Sequence, residues 1–567
     1  MRNREAAIVG ASMLVSVSTL AQGTPLSDIA PGAQIQRLQQ EQLEATKELN
    51  ARPSVLSPSG ENSPATGVTN LPIDTPCFEI NEVVLDDDTF AWLAPMVQPV
   101  VGQCVGKRAL KQIQEVANNA LIERGYVTAR VLVPSQSLQS RRLMLEVVPG
   151  RLRKVRADEP TIGWLRTVLP TPTGALLNQR DIDQALENLR RLRSQSDASF
   201  DIEPGTSQGD SELALHPGTG KRWHVVLGVD NAGLNATGKT GLSGSYTYDS
   251  PLHLYDQLQI AGATNANFGS SGEGNQSVAV NYGVPIGYAM VSLSANRSKY
   301  KQTVPGFDGP LQYSGVQSQM QFGLSGVVFR NASARIELHG NLNRRMNRNT
   351  YDGVELPAQT RDLWGYELGL SHRQYIGNGI LTAGLAWRAS LPEWSSKRGM
   401  VLEEPNFDGK TAVALVDIGV QVPLKVGNQA FSYRFDWNTQ LARTPLSPSD
   451  YFAIGTRYSV RGFNQQVSLA AESGWAISNE LDWYLPTRIG IQSVYGGLDA
   501  GRVRGRAADF LTGQTLVGAV LGARGQVAPT NPFGAAVSYD LSVGWPLSRP
   551  VGISSGPTFL FQISSLF

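Results

Sequence analysis

From Trp223 to Phe567 apolar and polar residues alternate with a period of two, and almost no helical periodicity interrupts them. In "ARIELHGNLN", Ile336, Leu338, Gly340 and Leu342 share one face, while Arg335, Glu337, His339, Asn341 and Asn343 share the other. In "FSYRFDWN", Phe431, Tyr433, Phe435 and Trp437 oppose Ser432, Arg434, Asp436 and Asn438. A soluble sandwich would turn its apolar face inward; four aromatics set against charges fit lipid outside and water inside. About sixteen such segments fill this part at roughly 21 residues each, the spacing of an outer-membrane barrel. Short turns ("VPIG", "IGNG", "VGNQ", "PTRIG") alternate with long loops such as Arg443 to Ser473, which places the short turns in the periplasm and the long loops outside. The closing "TFLFQISSLF" puts Phe559, Phe561, Ile563 and Phe567 on one face, with Phe567 as the aromatic end of a strand.

Ahead of the barrel the pattern predicts two small α+β units. In 77–150, "CFEINEVVLD" reads as a strand, "KRALKQIQEVANNALIERG" as a helix closed by Gly125, and "YVTARVLVP" and "RRLMLEVVPG" as strands. In 151–217 the same order recurs in "RLRKVRAD", a helix over "NQRDIDQALENLRRL", "ASFDIEP" and "DSELALHP". Such small sheets leave edges able to accept an extended peptide. Further upstream, 33–50 reads as a polar helix with one narrow apolar stripe, suited to a polar place. The Pro- and Ser-rich stretch 51–76 reads as a linker with a reach of roughly 30 Å. At the start, Arg2 and Arg4 precede the apolar run Ala6 to Leu20, which predicts a secretory signal over 1–21; an N-terminal anchor is the alternative.

Composition sharpens this picture. Formal net charge is +1 and charged residues make up 17%, so nothing points to nucleic acid. Glycine is abundant at 58 residues, and mean hydropathy is −0.18. No apolar run reaches the ~18 residues of a membrane helix. Export to an oxidising compartment lets the two cysteines, Cys77 and Cys104, pair; two unrelated buried thiols is the other reading.

Candidate chemistry concentrates in "RYSVRGFNQQ", where Arg461 sits in the long late loop. A charge in a membrane protein must face water or find a partner. Val460 and Phe463 with the turn-permitting Gly462 form a compact tip able to fold into the lumen. In "SVYGGLDAGRV", alternation directs Val494, Leu498 and Ala500 to lipid, and Tyr495, Gly497, Asp499 and Gly501 to the lumen. Two glycines flanking Asp499 leave room for a guanidinium, whose planar fork suits a carboxylate.

These residues, V-R-G-F in the loop and G-x-D-x-G in a late strand, after two small domains and before a terminal Phe, resemble the outer-membrane transporters of two-partner secretion. That family belongs to the wider barrel-assembly superfamily. "IGTRYSVRGF", "LAAESGW" and "SNELDWYLP" are similar to its haemolysin-type and contact-dependent-inhibition branches. The resemblance implies a mostly β fold: a plug helix (33–50), two polypeptide-transport-associated (POTRA) domains (77–150 and 151–217), and a 16-stranded barrel (223–567). It implies that the loop 443–473 enters the barrel and that Arg461 pairs with Asp499. It also implies one large β-helical exoprotein, received unfolded by the POTRA domains and exported without nucleotide, with the barrel-assembly machinery inserting the barrel into outer-membrane lipid. A cysteine pair in the first POTRA domain suits the haemolysin-like branch. A barrel-assembly factor and a passive porin are the other readings; the porin leaves the periplasmic part without a purpose.

Two motifs are weighed and set aside. Gly233, Gly238, Lys239 and Thr240 satisfy G-x-x-x-x-G-K-[ST], but "TGLSGSYTYD" follows as a strand where a phosphate-binding loop needs a helix. His216, His224, His253, His339 and His372 show no metal-ligand spacing, so no metal, cofactor or catalytic residue is expected. The arginine-rich "ENLRRLRSQ" reads as an exposed helix face, with exoprotein or lipid contact as the alternative.

Overall fold

The computed structural model describes residues 68, 70–157, 159–266, 272–306, 309–395, 409–464, 468–487, 490–527, 535–554 and 556–567. The expected signal, the plug helix and most of the linker lie outside these described residues. What is described of the linker packs as part of the first periplasmic unit. Val68 is buried in that unit's core, and the Asp74 carboxylate accepts hydrogen bonds from the Arg108 amide (2.6 Å) and guanidinium (2.6 Å). The hydrogen bond from Arg108 holds the Asp74 carboxyl below the ordinary carboxylate range.

The first unit contains β1 (Phe78–Glu79), β2 (Glu82–Leu85), β3 (Cys104–Val105), α1 (Lys107–Glu123), β4 (Arg130–Leu132) and β5 (Arg142–Val148). The single strand expected over "CFEINEVVLD" is divided. β1 pairs with β3, β2 pairs with β5, and the fully buried Ile80 is the pivot between the two sheets. Cys77 and Cys104 form a disulfide that joins the chain entering β1 to β3. Buried Ala109, Ile113, Ala117, Ala120 and Leu121 form the apolar stripe of α1. Gly125 (φ +88°) ends the helix, with the Gly125 amide donating to Ile122 and the Tyr126 amide to Leu121.

The second unit consists of β6 (Arg151–Ala157), α2 (Gln179–Arg190), β7 (Ser199–Pro204) and β8 (Asp210–His216), in sheet order β6–β8–β7. It is stapled to the first through helix ends. Asn178, the N-cap of α2, donates to the Arg124 carbonyl (3.0 Å), and the Gln179 amide donates to the Gly125 carbonyl (2.8 Å). Free carbonyls at one helix end thus meet free amides at another.

The rest is a closed antiparallel barrel of sixteen strands. They are β9 (Trp223–Asp230), β10 (Gly241–Asp249), β11 (Gln257–Asn265), β12 (Gly274–Ile286), β13 (Ala289–Gly306), β14 (Gly309–Arg330) and β15 (Ala334–Tyr351). A two-residue strand β16 (Val354–Glu355) adds only to β15; the wall continues with β17 (Arg361–Ile376), β18 (Gly379–Ser390), β19 (Ala412–Val426) and β20 (Gln429–Ala442). After a small hairpin, β21 (Phe452–Ile454) and β22 (Leu469–Ala471), come β23 (Ser473–Leu485), β24 (Gln492–Arg504), β25 (Thr515–Val527), β26 (Ala536–Ser548) and β27 (Thr558–Leu566). β27 closes on β9, and the Phe567 and Val225 backbones exchange two hydrogen bonds at the seam. Leu338, Leu368, Leu385, Leu498 and Leu521 are exposed around the outside, an apolar surface that would be a liability in water and matches lipid. Several short turns begin with a positive-φ glycine, Gly287, Gly377 and Gly427, the residue a tight hairpin takes at its first central position.

The short-turn end docks on the second periplasmic unit, and this corrects the reading of "ENLRRLRSQ" as an exposed face. Glu187, Asn188, Ser194 and Gln195 are buried. Asn188 donates to the Gly287 carbonyl (2.8 Å), Arg191 to the Tyr255 carbonyl (2.7 Å), and the Ser194 amide to Asp249 (2.9 Å). At the centre, the Glu187 carboxylate, 1% exposed, takes Arg330 (2.6 Å) and Arg335 (2.8 Å) from adjacent barrel strands. The segment is polar because its partners are turn backbone and barrel arginines, which hydropathy alone reads as solvent.

Glu187→Ala leaves the buried Arg330 guanidinium, with the half-buried Arg335 beside it, without that carboxylate, a loss of about 3 to 5 kcal/mol at a buried site. The joint should loosen, giving faster protease cleavage around 217–222 in the detergent-solubilised barrel; unchanged cleavage would show that the ion pairs do not hold it.

Candidate functional site

The described parts of the long loop, 443–464 and 468–472, fold back against the inner wall of the barrel. β21 and β22 pair to give it a stem, and Gly455 (φ +97°) opens its tip. The hydroxyl of Ser459 accepts the Thr456 amide (3.2 Å), fixing the turn just ahead of V-R-G-F. Val460 and Phe463 are buried with Ile454 and Leu469 of the stem and with Ala476, Val503 and Leu516 of the wall. These apolar contacts bring the tip to the wall.

Arg461 then meets Asp499. Its Nε donates to Asp499 Oδ2 (2.7 Å), its Nη2 to Oδ1 (2.9 Å), and its own amide to Oδ2 (2.9 Å). This is a forked, charge-assisted pairing with a third bond from the backbone. Asp499 is 1% exposed, so its charge is satisfied by protein groups. Gly497 and Gly501 flank it as the alternation requires. A β-carbon at Gly497 would lie 2.7 Å from Arg461 Nη2, and one at Gly501 would lie 2.9 Å from Val460 Cγ2.

The sequence reading missed the rest of the cluster. Glu480 on β23 accepts from Arg461 Nη1, from Arg524 on β25, and from Arg434 on β20 (3.3 Å). Arg524 also forks onto Asp482 (2.6 Å to each oxygen) and lies 4.4 Å over the Tyr495 ring. Tyr495 donates to Asp540 on β26 (2.7 Å). Arginines and carboxylates thus alternate across the wall from β20 to β26. Alternation in "SNELDWYLP" already turns Glu480 and Asp482 to the lumen; their partners lie on other strands, beyond any local pattern.

A second missed feature is steric. A β-carbon on Gly518 would sit 1.8 Å from the Arg461 carbonyl oxygen, and one on Gly544 would sit 2.7 Å from the Gly462 α-carbon. Gly462 itself has φ +107°, and a side chain there would meet the Trp545 carbonyl at 2.6 Å. The tip backbone therefore lies in a slot that only glycines on β25 and β26 leave open. On the opposite wall, Arg345 of β15 pairs with Asp450 of the loop (2.5 Å). Burial alone would raise the Asp450 carboxyl; Arg345 and Arg361 outweigh it and hold it below the usual range. The loop thus spans the lumen between two ionic anchors.

Arg457 of the same loop reaches Gln562 (3.5 Å) and Asp230 (4.0 Å) at the closing seam. The G-x-x-x-x-G-K-T stretch is a loop whose Gly233 amide binds the Lys239 carbonyl, followed by β10. His216 pairs with Asp201 (2.9 Å), and among the described residues no cluster of metal-ligating side chains occurs.

Comparison with known proteins gives one consistent result. Residues 209–525 match the family described as haemolysin secretion/activation protein ShlB/FhaC/HecB. Residues 78–150 match the ShlB-type POTRA domain and 151–204 the POTRA domain. The chain is 32% identical over 585 residues to the outer membrane transporter CdiB-2 of Burkholderia pseudomallei, covering 99% of each chain. It is 25% identical to the hemolysin transporter protein ShlB of Serratia marcescens, covering 79% of this chain and 81% of the relative. The solved structure of CdiB from Escherichia coli superposes with a TM-score of 0.83 at 25% identity, covering 96% of this chain and 99% of that one.

Gly518→Val should push the tip off the wall while leaving a β-branched residue in a strand, where it is tolerated. The barrel is expected to remain heat-modifiable and the loop to become protease-accessible; a protected loop in the variant would refute the slot.

Proposed function

Because the chain belongs to the ShlB/FhaC/HecB family of haemolysin secretion/activation proteins, we propose that it is the outer-membrane pore through which one large β-helical exoprotein leaves the periplasm. The barrel lies in the outer membrane and the POTRA domains in the periplasm. The exoprotein arrives unfolded and adds as an extended segment to a POTRA sheet edge, where main-chain hydrogen bonds supply affinity without demanding one sequence. It then passes through the polar lumen. No nucleotide and no catalytic step enters this scheme; the substrate's folding outside draws it across. The barrel itself is inserted into lipid by the barrel-assembly machinery.

The observation that carries the proposal is the loop pinned across the lumen by Arg461 on Asp499. A passive pore has no use for a buried, forked ion pair on a loop that occupies its own channel. In the proposed cycle the V-R-G-F tip is the lock. While engaged, it fixes the wall of β23 to β26; an arriving polypeptide competes for the lumen and the loop yields. Asp499 has Arg461 as its cation, whereas Glu480 keeps Arg524 and Arg434 when the loop withdraws. The free-energy cost of opening therefore falls mainly on Asp499. The segment 33–50 is assigned as a plug of the resting pore.

Deleting the gene should abolish surface delivery of the exoprotein; normal delivery would refute the assignment. Arg461→Ala or Asp499→Ala is expected to cut secretion severely while the barrel still inserts, since an abandoned buried charge costs about 3 to 5 kcal/mol. Full secretion by either variant would remove the lock. Deleting residues 33–50 should raise single-channel conductance without stopping export, and unchanged conductance would place that segment elsewhere.

A further inference from the structure

The barrel's outer surface carries a cluster of cations just beyond the apolar band, and we propose that it binds a phosphate-bearing lipid headgroup of the outer leaflet. The proposal rests on the outer-membrane placement of the barrel and on strand register. Leu293 on β13, Phe322 and Leu324 on β14, Leu338 on β15 and Leu368 on β17 are exposed, which fixes the outward face of each strand. One row across the outside then reads Leu293, Phe322, Leu342, Tyr366 and is apolar or aromatic throughout.

Moving away from the periplasmic turns, the next row reads Ala295, Met320, Arg344, Trp364. After it comes Arg297, Ser318, Met346, Asp362, and then Lys299, Val316, Arg348. Rows two residues apart are about 7 Å apart and neighbouring strands about 4.8 Å, so the four cations fit within roughly 17 Å.

Their partners leave a surplus of positive charge. Arg344 forks onto Asp362 (2.8 and 2.7 Å), and Arg348 lies 3.6 Å from Glu355. Arg297 and Lys299 are exposed and make no ion pair or side-chain hydrogen bond among the described residues. Aromatic rings border the patch: Arg344 sits 5.6 Å from the Trp364 ring centroid, and Trp394 packs edge-on to Trp364 at 5.8 Å. Tryptophan at the boundary of the band, with long cationic side chains reaching past it, is the arrangement that meets a headgroup layer.

The occupant is a lipid because of where the patch faces. It lies on the opposite side of the wall from the lumen and continues the apolar band without interruption, so its neighbour in the membrane is the outer leaflet. Phosphate suits it best: an arginine fork offers paired donors to phosphate oxygens, and the lysine adds a point charge. Two unpaired cations, Arg297 and Lys299, beside two carboxylate-paired arginines over this span suit a headgroup carrying more than one phosphate.

The test uses the full chain reconstituted with bis-phosphorylated lipid A or with its phosphate-free analogue, and native mass spectrometry to count glycolipid retained per barrel. Wild type should retain the phosphorylated lipid in preference to the phosphate-free one. In the double variant Arg297→Ser, Lys299→Ser retention should fall about tenfold, the effect of losing charge-assisted contacts worth about 1.4 kcal/mol. Arg502→Ser, on β24 away from the patch, should retain lipid like wild type. Equal retention by the double variant, or an equal loss of the phosphate-free lipid, would overturn the proposal. Heat-modifiable mobility of every variant reports separately that the barrel has formed, so a failure of the membrane reading is distinguishable from a failure of the site.

Discussion

The structure depends on a rule of charge placement: within the apolar band of a lipid-facing wall, a charge turns to the lumen and is neutralised there. Asp499, Glu480 and Asp482 are nearly fully buried, and Arg461, Arg524 and Arg434 neutralise them in alternation. Such a cluster is strong as a whole and costly to break in part, because removing one member leaves another desolvated and unpaired. One of its arginines belongs to a loop. The ionic cluster of the wall is therefore completed by the docked loop through Arg461.

Sterics make the interaction selective. An arginine on a mobile loop could pair with any lumen carboxylate, and the lumen offers several. The tip reaches only Asp499 and Glu480 because Gly497, Gly518 and Gly544 open a slot one backbone thick, while Val460 and Phe463 anchor the apolar side. Charge supplies the strength of docking and glycine supplies its address. Arg345 on Asp450 gives the loop a second anchor on the far wall.

The same logic appears at the periplasmic end. Glu187, buried between Arg330 and Arg335, joins α2 to the barrel much as Asp499 joins the loop to its wall. With the α1 terminus seated on the α2 N-cap, the two POTRA domains and the short-turn end form a continuous hydrogen-bonded structure.

How much of this was legible depends on the range of each interaction. Period-two alternation is a local property, so the sequence alone determined the barrel, its lipid and lumen faces, and the side on which Asp499, Glu480 and Asp482 point. The positive-φ glycine after α1 and the alternation of short turns with long loops were local in the same way. Where Arg461 meets Asp499, the family resemblance supplied the pairing. The remaining partners were set by the pairing and register of neighbouring wall strands, which bring β20, β23, β25 and β26 around one loop tip and give Glu480 its strand-borne arginines across 44 to 46 residues of chain. "ENLRRLRSQ" was misread for that reason: a helix face that binds barrel turns and arginines has the same composition as one that binds water, and only the tertiary structure distinguishes them.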